Sequence, residues 1–191
     1  MTTLDERLLD VIEHDVVPLT RAGVALGNKL FGAAILLRED LSVVVAATNN
    51  EVENPLWHGE IHAIKIFHEL EETPDPADCV FLATHEPCSL CLSGIAWGGF
   101  PEVHYLFSHQ DSADSFAIPH DLRILKAVSA VPDPDRSEPA PGRDLYNRSN
   151  DFFTSRPIAA EPARLARLQA TYAELSATYQ AGKGSAGIPH A

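Results

Sequence analysis

Two short segments constrain this chain more than anything else in it: Trp57-His58-Gly59-Glu60-Ile61-His62-Ala63-Ile64, and Glu86-Pro87-Cys88-Ser89-Leu90-Cys91. Pro87 suits a helix entry, so Cys88 and Cys91 fall on one helical turn with both sulfurs on one side. The unpaired N–H groups and positive dipole end of a helix start favour thiolates there. Two thiolates and the His58 imidazole supply three ligands for a metal. Zinc prefers four, and a site with only three protein ligands leaves one position for water, as catalytic zinc sites do. One zinc per chain is therefore expected. Zinc lowers the pKa of bound water from about 15.7 toward roughly 7. Glu60, two residues beyond His58 and also at a helix start, is the expected proton shuttle, a role worth about 10²–10⁴ in rate.

The combination H-x-E followed by P-C-x-x-C is the pattern of zinc deaminases, whereas each part alone has a blander reading. A lone C-x-x-C also fits a thiol-disulfide pair, or half of a four-cysteine zinc knuckle. The chain has three cysteines, and Cys79 alone cannot complete a knuckle. Cys79 reads as a small core residue of its strand. His62 lies one helical turn from His58, but Glu60 stands in the wrong place for HExxH, so His62 reads as a helix-face residue. His85 reads as pocket wall or structural residue in equal measure.

Composition limits the partners. With 14 basic against 27 acidic residues the net charge is −13, histidines taken as neutral. Nucleic acid is held largely by Lys and Arg on phosphates, and no basic cluster exists here. An apolar share of 45% and a charged share of 21% describe a soluble globular chain. No apolar run approaches the roughly 20 residues of a membrane span. The N-terminal MTTLDERLLDVIEHDVV lacks the basic-then-apolar order of a signal peptide, so the cytoplasm is the expected location and no membrane partner is expected.

Hydrophobic periodicity gives the elements. Residues 4 to about 27 carry apolar positions at helical intervals, with Pro18 kinking or splitting the helix. Phe31–Arg38 and Ser42–Ala47 form a hairpin pattern, and a polar loop over 48–57 leads into a helix from His58 to about Glu72. A strand over Cys79–Thr84, a helix over Cys88–Trp97 closed by Gly98-Gly99, and a strand over Val103–Phe107 follow. Leu122–Val128 and Pro162–Gln180 read as helices, and 130–144 as a loop. The order β-β-α-β-α-β predicts an α/β protein, a three-layer α/β/α sandwich with a mixed sheet. The expected organisation is a zinc domain over 1–128, an irregular extension over 129–160, a helix over 161–181 and a flexible tail over 182–191.

The chain resembles the cytidine deaminase-like superfamily, in its guanine, cytosine and tRNA adenosine deaminase branch. Leu30-Phe31-Gly32-Ala33 is similar to that family's P-F-G-A, with Leu30 in place of proline. Thr48-Asn49-Asn50 is similar to its G-x-N turn, His58-Gly59-Glu60 to its H-[AG]-E, and the run from Glu86 through Trp97 to bacterial guanine deaminases. The resemblance covers about residues 5 to 115. It implies a five-stranded mixed sheet, His58, Cys88 and Cys91 on zinc, Glu60 as proton shuttle, and a homodimer. It also implies that Asn49 hydrogen-bonds the base, with Asn50 the one-residue alternative, and that Phe31 packs on the ring. Trp97 is assigned to substrate binding as well. Guanine deaminases carry an acid after the fourth strand, for which Asp114 is taken, with Asp111 the alternative. The substrate expected is a small nucleobase or nucleoside, of guanine or cytosine type, hydrolysed with release of ammonia. Phe152 and Phe153 read either as ring caps or as core anchors. The rival functions are a tRNA adenosine deaminase-like editing enzyme and a non-catalytic zinc or thiol-redox module.

Overall fold

The computed structural model describes residues 3–127 and 152–182. Helix α1 (Leu4–Val11) starts at a capping box: Glu6 N–H donates to Thr3 Oγ1 at 3.2 Å and Thr3 N–H to Glu6 Oε2 at 2.7 Å. The helix does not stop at Pro18. A π-helical turn, Ile12–Val16, runs directly into α2 (Val17–Ala25), with Pro18 in the first turn of α2. A proline lacks the N–H and crowds the carbonyl four residues back, and the wider turn ahead of it absorbs that defect.

Strands β1 (Gly32–Leu37) and β2 (Val43–Thr48) form the expected hairpin. After α3 (Gly59–Phe67), β3 (Cys79–His85), α4 (Ser89–Trp97) and β4 (Glu102–Phe107) complete the pattern read from the sequence. Helix α3 ends short of Glu72, because the Thr73 hydroxyl donates to the carbonyls of Phe67 and Leu70 and closes the last turn. Two short helices, α5 (His109–Asp114) and α6 (His120–Ala127), follow β4. Strand β5 (Thr154–Pro157) and helix α7 (Pro162–Gly182) end the described chain. The loop expected over 130–144 lies outside the described residues, as does the tail beyond 182.

The sheet order is β2-β1-β3-β4-β5, with β1 antiparallel to both neighbours and β3, β4 and β5 parallel. The fold is therefore the expected mixed five-stranded α/β sandwich. Strand alternation builds its two cores. Ala34 and Leu36 of β1 with Val80 and Leu82 of β3 face α1, α2 and α7, against Leu8, Ile12, Tyr172 and Leu175. Ala33 and Ile35 with Cys79 and Phe81 face α3 and α4, against Ala63, Phe67, Ile95 and Phe100. The terminal helix is part of the first core. Its Arg164 guanidinium donates to Asp10 at 2.6 Å and to Glu13 at 2.8 and 3.0 Å, fastening α7 to the first helix.

Candidate metal centre

His58 is the residue before α3 and Cys88 the residue before α4, each in extended backbone. Because α3 and α4 lie together on one face of the sheet, their N-termini bring these residues together. Cys88 Sγ lies 3.5 Å from His58 Nδ1 and 3.4 Å from Cys91 Sγ, and Cys91 Sγ is 3.6 Å from His58 Nδ1. A tetrahedral zinc with bonds of about 2.3 Å to sulfur and 2.0 Å to nitrogen has ligand–ligand edges of roughly 3.3–3.8 Å. The three atoms fit it. All three cysteines are free thiols, and Cys79 is buried in β3 apart from this group.

Glu60 is buried at the start of α3, within hydrogen-bonding reach of Cys91. Burial, and next the Cys88 thiolate, push its carboxyl up to about 7. Burial opposes the imidazolium of His58, but its bond to Cys88 and the charges of Cys88, Glu60 and Glu51 outweigh this and hold its pKa at about 9. Cys88 is held well below the usual thiol range by the Cys91 thiol, against burial, with further help from His58. Cys91 is driven up by burial and by the neighbouring thiolate. The pair thus holds one thiolate readily, and the second needs a cation.

Gly59, between His58 and Glu60, is required by space. A Cβ there would stand 2.9 Å from Gly32 Cα and 3.0 Å from the Phe31 carbonyl oxygen, both backbone atoms. Asn49, 1% exposed, has both poles of its amide engaged: Oδ1 accepts the Gly59 N–H at 2.6 Å and Nδ2 donates to Glu51 Oε2 at 2.8 Å. Asn50 is turned to Glu53, which accepts from it at 2.7 Å. His62 stacks on Trp57 and its Nδ1 is 2.8 Å from the Thr48 carbonyl oxygen.

A cavity of about 330 Å³ adjoins the cluster, bordered by His58, Cys88, Phe31, Lys29, Glu51 and Asp121 among others. Phe31 stands in its wall. Trp97 does not: it is 91% exposed and borders a different cavity with Ser93, Ala96 and Phe152. Asp114 is exposed on α5 and accepts from Gln110, while Asp111 caps α5 through Ser108. Phe152 is exposed and Phe153 buried. Besides Glu51, the acid at the cavity is Asp121, partly buried at the start of α6, its carboxyl pushed up to about 6 by burial and by Cys88.

Sequence reasoning missed Lys29 and Glu51. Lys29 Nζ donates to Glu51 Oε1 at 2.7 Å, and that oxygen is 3.7 Å from His58 Nε2. Glu51 lies in a polar loop and Lys29 precedes a strand, so nothing local marks either as buried. Asp121 carried a weak signal, an acid just after Pro119 in a first helical turn.

The zinc-binding region of cytidine and deoxycytidylate deaminases matches residues 14–107. Guanine deaminase of Bacillus subtilis is 30% identical over 87 residues, which are 44% of this chain and 54% of that protein. A tRNA-specific adenosine deaminase of Rickettsia felis is 32% identical over 91 residues, 46% of this chain and 63% of that one. The chain thus spans little more than half the length of these curated relatives. Among solved structures, a guanine deaminase from Nitrosomonas europaea shares the fold, with a TM-score of 0.60 at 19% identity over 93% of this chain and 86% of that one. The Bacillus subtilis guanine deaminase structure gives 0.53 at 27% identity, over 72% and 86%. Over residues 14–107 the chain matches the zinc-binding region of cytidine and deoxycytidylate deaminases, and its fold is that of these guanine deaminase structures.

Proposed function

We propose that the protein is a zinc-dependent hydrolytic deaminase of a free nucleobase or nucleoside-like heterocycle. The observation that carries this is the convergence of His58 Nδ1, Cys88 Sγ and Cys91 Sγ at 3.4–3.6 Å, with buried Glu60 beside them and a cavity adjoining. Zinc held by those three atoms supplies a Lewis acid that makes water nucleophilic near neutral pH. Glu60 takes a proton from the attacking water and delivers it to the ring nitrogen, then takes the second proton from the hydroxyl now on the ring carbon and gives it to the departing amine. The ring carbon exchanges its amino group for oxygen, and ammonia leaves. Phe31 offers an apolar ring face in the cavity wall. Asp121, rather than the exposed Asp114, is placed to accept from the ring or its amine.

Guanine is favoured among substrates by the Bacillus subtilis relative, which is a guanine deaminase. Editing of tRNA has support from the Rickettsia felis relative, but a net charge of −13 opposes a polyanion. A redox role for Cys88 and Cys91 leaves the equidistant His58 imidazole without a purpose. A homodimer belongs to the same reading, as the family resemblance implies. Among the described residues no helix is long and apolar enough to cross a membrane.

Ammonia release from guanine, cytosine, adenine and their nucleosides by the zinc-loaded protein tests the proposal. Turnover of at least one free base or nucleoside is expected. Activity on tRNA alone, or on none of them, would contradict it.

A further inference from the structure

The cavity beside the ligand cluster holds an ion pair that the chemistry above leaves unused. Lys29 and Glu51 are 6% and 2% exposed, and both border the cavity alongside His58 and Cys88. An ammonium has three N–H donors. Among the described residues, Lys29 Nζ gives one to Glu51 Oε1 at 2.7 Å and has no second acceptor. On the carboxylate, Oε2 is fully occupied by the Asn49 amide at 2.8 Å and the Lys29 backbone N–H at 3.3 Å. Among the described residues Oε1 accepts from Nζ alone, and it lies 3.7 Å from His58 Nε2. A buried donor and a buried acceptor therefore remain side by side, each with capacity unfilled, and leaving such capacity unmet inside a protein is costly.

We propose that the Lys29–Glu51 pair is the ring-recognition element of this site, with Lys29 donating to a ring carbonyl and Glu51 Oε1 accepting from the adjacent ring N–H. This rests on the deaminase reading. Asn49, the residue expected to recognise the base, accepts from the Gly59 N–H and donates to Glu51, and so supports the pair from behind. The pair is neutral as a unit, and Asp121 adds an acid to the same cavity. A neutral ring with C=O beside N–H satisfies both groups, whereas a phosphate would meet two carboxylates. A cavity of about 330 Å³ is also at the lower end for small-molecule sites, fitting a base better than a nucleotide.

The test compares rings that differ in the C=O and the N–H beside it: guanine against 2-aminopurine, and cytosine against 4-aminopyrimidine. Calorimetric dissociation constants are measured on zinc-loaded Glu60→Gln protein, with and without Lys29→Met or Lys29→Arg. Ammonia release is measured on the same series with Glu60 intact. With Lys29 present, the better-bound oxo ring is expected to be favoured by roughly 10² or more over its partner, toward the roughly 10⁴–10⁵ of sites built to hydrogen-bond a substrate. Lys29→Met should cut that ratio at least about tenfold, leaving the part that Glu51 supplies through the ring N–H. Lys29→Arg keeps the ion pair and serves if the Met variant does not fold. Its planar fork places the donors differently, so the ratio should fall at least about tenfold. No preference in the parent, or a preference untouched by the folded variants, overturns the proposal. Ammonia release with a Lys29-independent preference would sink this inference and leave the deaminase reading standing. Lys29-dependent binding without ammonia release would do the reverse.

Discussion

The side-chain oxygen of Asn49 accepts the Gly59 N–H at 2.6 Å, tying the loop after β2 to the first turn of the helix that follows His58. An N–H at a helix start has no partner within the helix, and this one is buried, so Asn49 is its cap. Asn49→Ala should therefore cost about 1–3 kcal/mol of stability, the usual result of orphaning a buried donor. Denaturant titration of the zinc-loaded protein checks it. A variant as stable as the parent, defective only in KM, would instead make Asn49 a substrate contact.

Gly59 admits no side chain, since a Cβ would press on the backbone at Gly32 and Phe31 rather than on a yielding side-chain tip. Gly59→Ala must push α3 away from β1 and carry His58 with it. Strain of this kind costs typically about 1–3 kcal/mol. Zinc affinity, measured by competition with a chelator, should fall alongside the melting temperature. An unchanged affinity would mean that the ligand helix tolerates the shift.

Glu60 is a neighbour of the ligand cluster and not a member of it. Glu60→Gln should keep the fold and full zinc content while lowering kcat by about 10²–10⁴. Parallel metal analysis and steady-state kinetics read both quantities. Near-parental kcat, or lost zinc, would remove Glu60 from the shuttle role.

His85 sits within an aromatic cage of Phe31, Phe107, Phe116 and Tyr172, at ring-centroid distances of 4.8–5.2 Å. Burial, with a smaller contribution from His109, depresses its pKa to about 3. Between the ordinary value of 6.5 and 3 the unfolded chain takes up a proton that the folded chain refuses, so stability falls as pH drops through this window. Phenylalanine fits the cage, and Thr84 Oγ1, which bonds His85, retains the Gly32 N–H as a partner. His85→Phe should lose less stability between pH 7 and pH 4 than the parent, by on the order of 2–3 kcal/mol. Urea titrations at the two pH values check this, and parallel losses would contradict it.

Local chemistry made much of this legible. The convergence of His58, Cys88 and Cys91 could be read because their spacing puts them at two helix starts. The first four strands were marked by β-branched and apolar runs. Strand β5 escaped because Thr154-Ser155-Arg156-Pro157 has no apolar alternation and gains its place by pairing with β4. Lys29, Glu51 and Asp121 reach the cavity through tertiary contacts alone, which no periodicity encodes. Trp97 and Asp114 follow the same logic in reverse: their sequence neighbourhood suggested the site, but helix phase turns Trp97 outward and Asp114 to Gln110.

Zinc content is the most direct measure of the central claim. Protein purified without added chelator should carry one zinc per chain by elemental analysis, and the Cys88→Ser variant, folded by circular dichroism, should carry almost none. A folded parent that contains no zinc and takes up none when it is supplied, or a Cys88→Ser variant with full occupancy, would show that these three side chains do not form the metal centre.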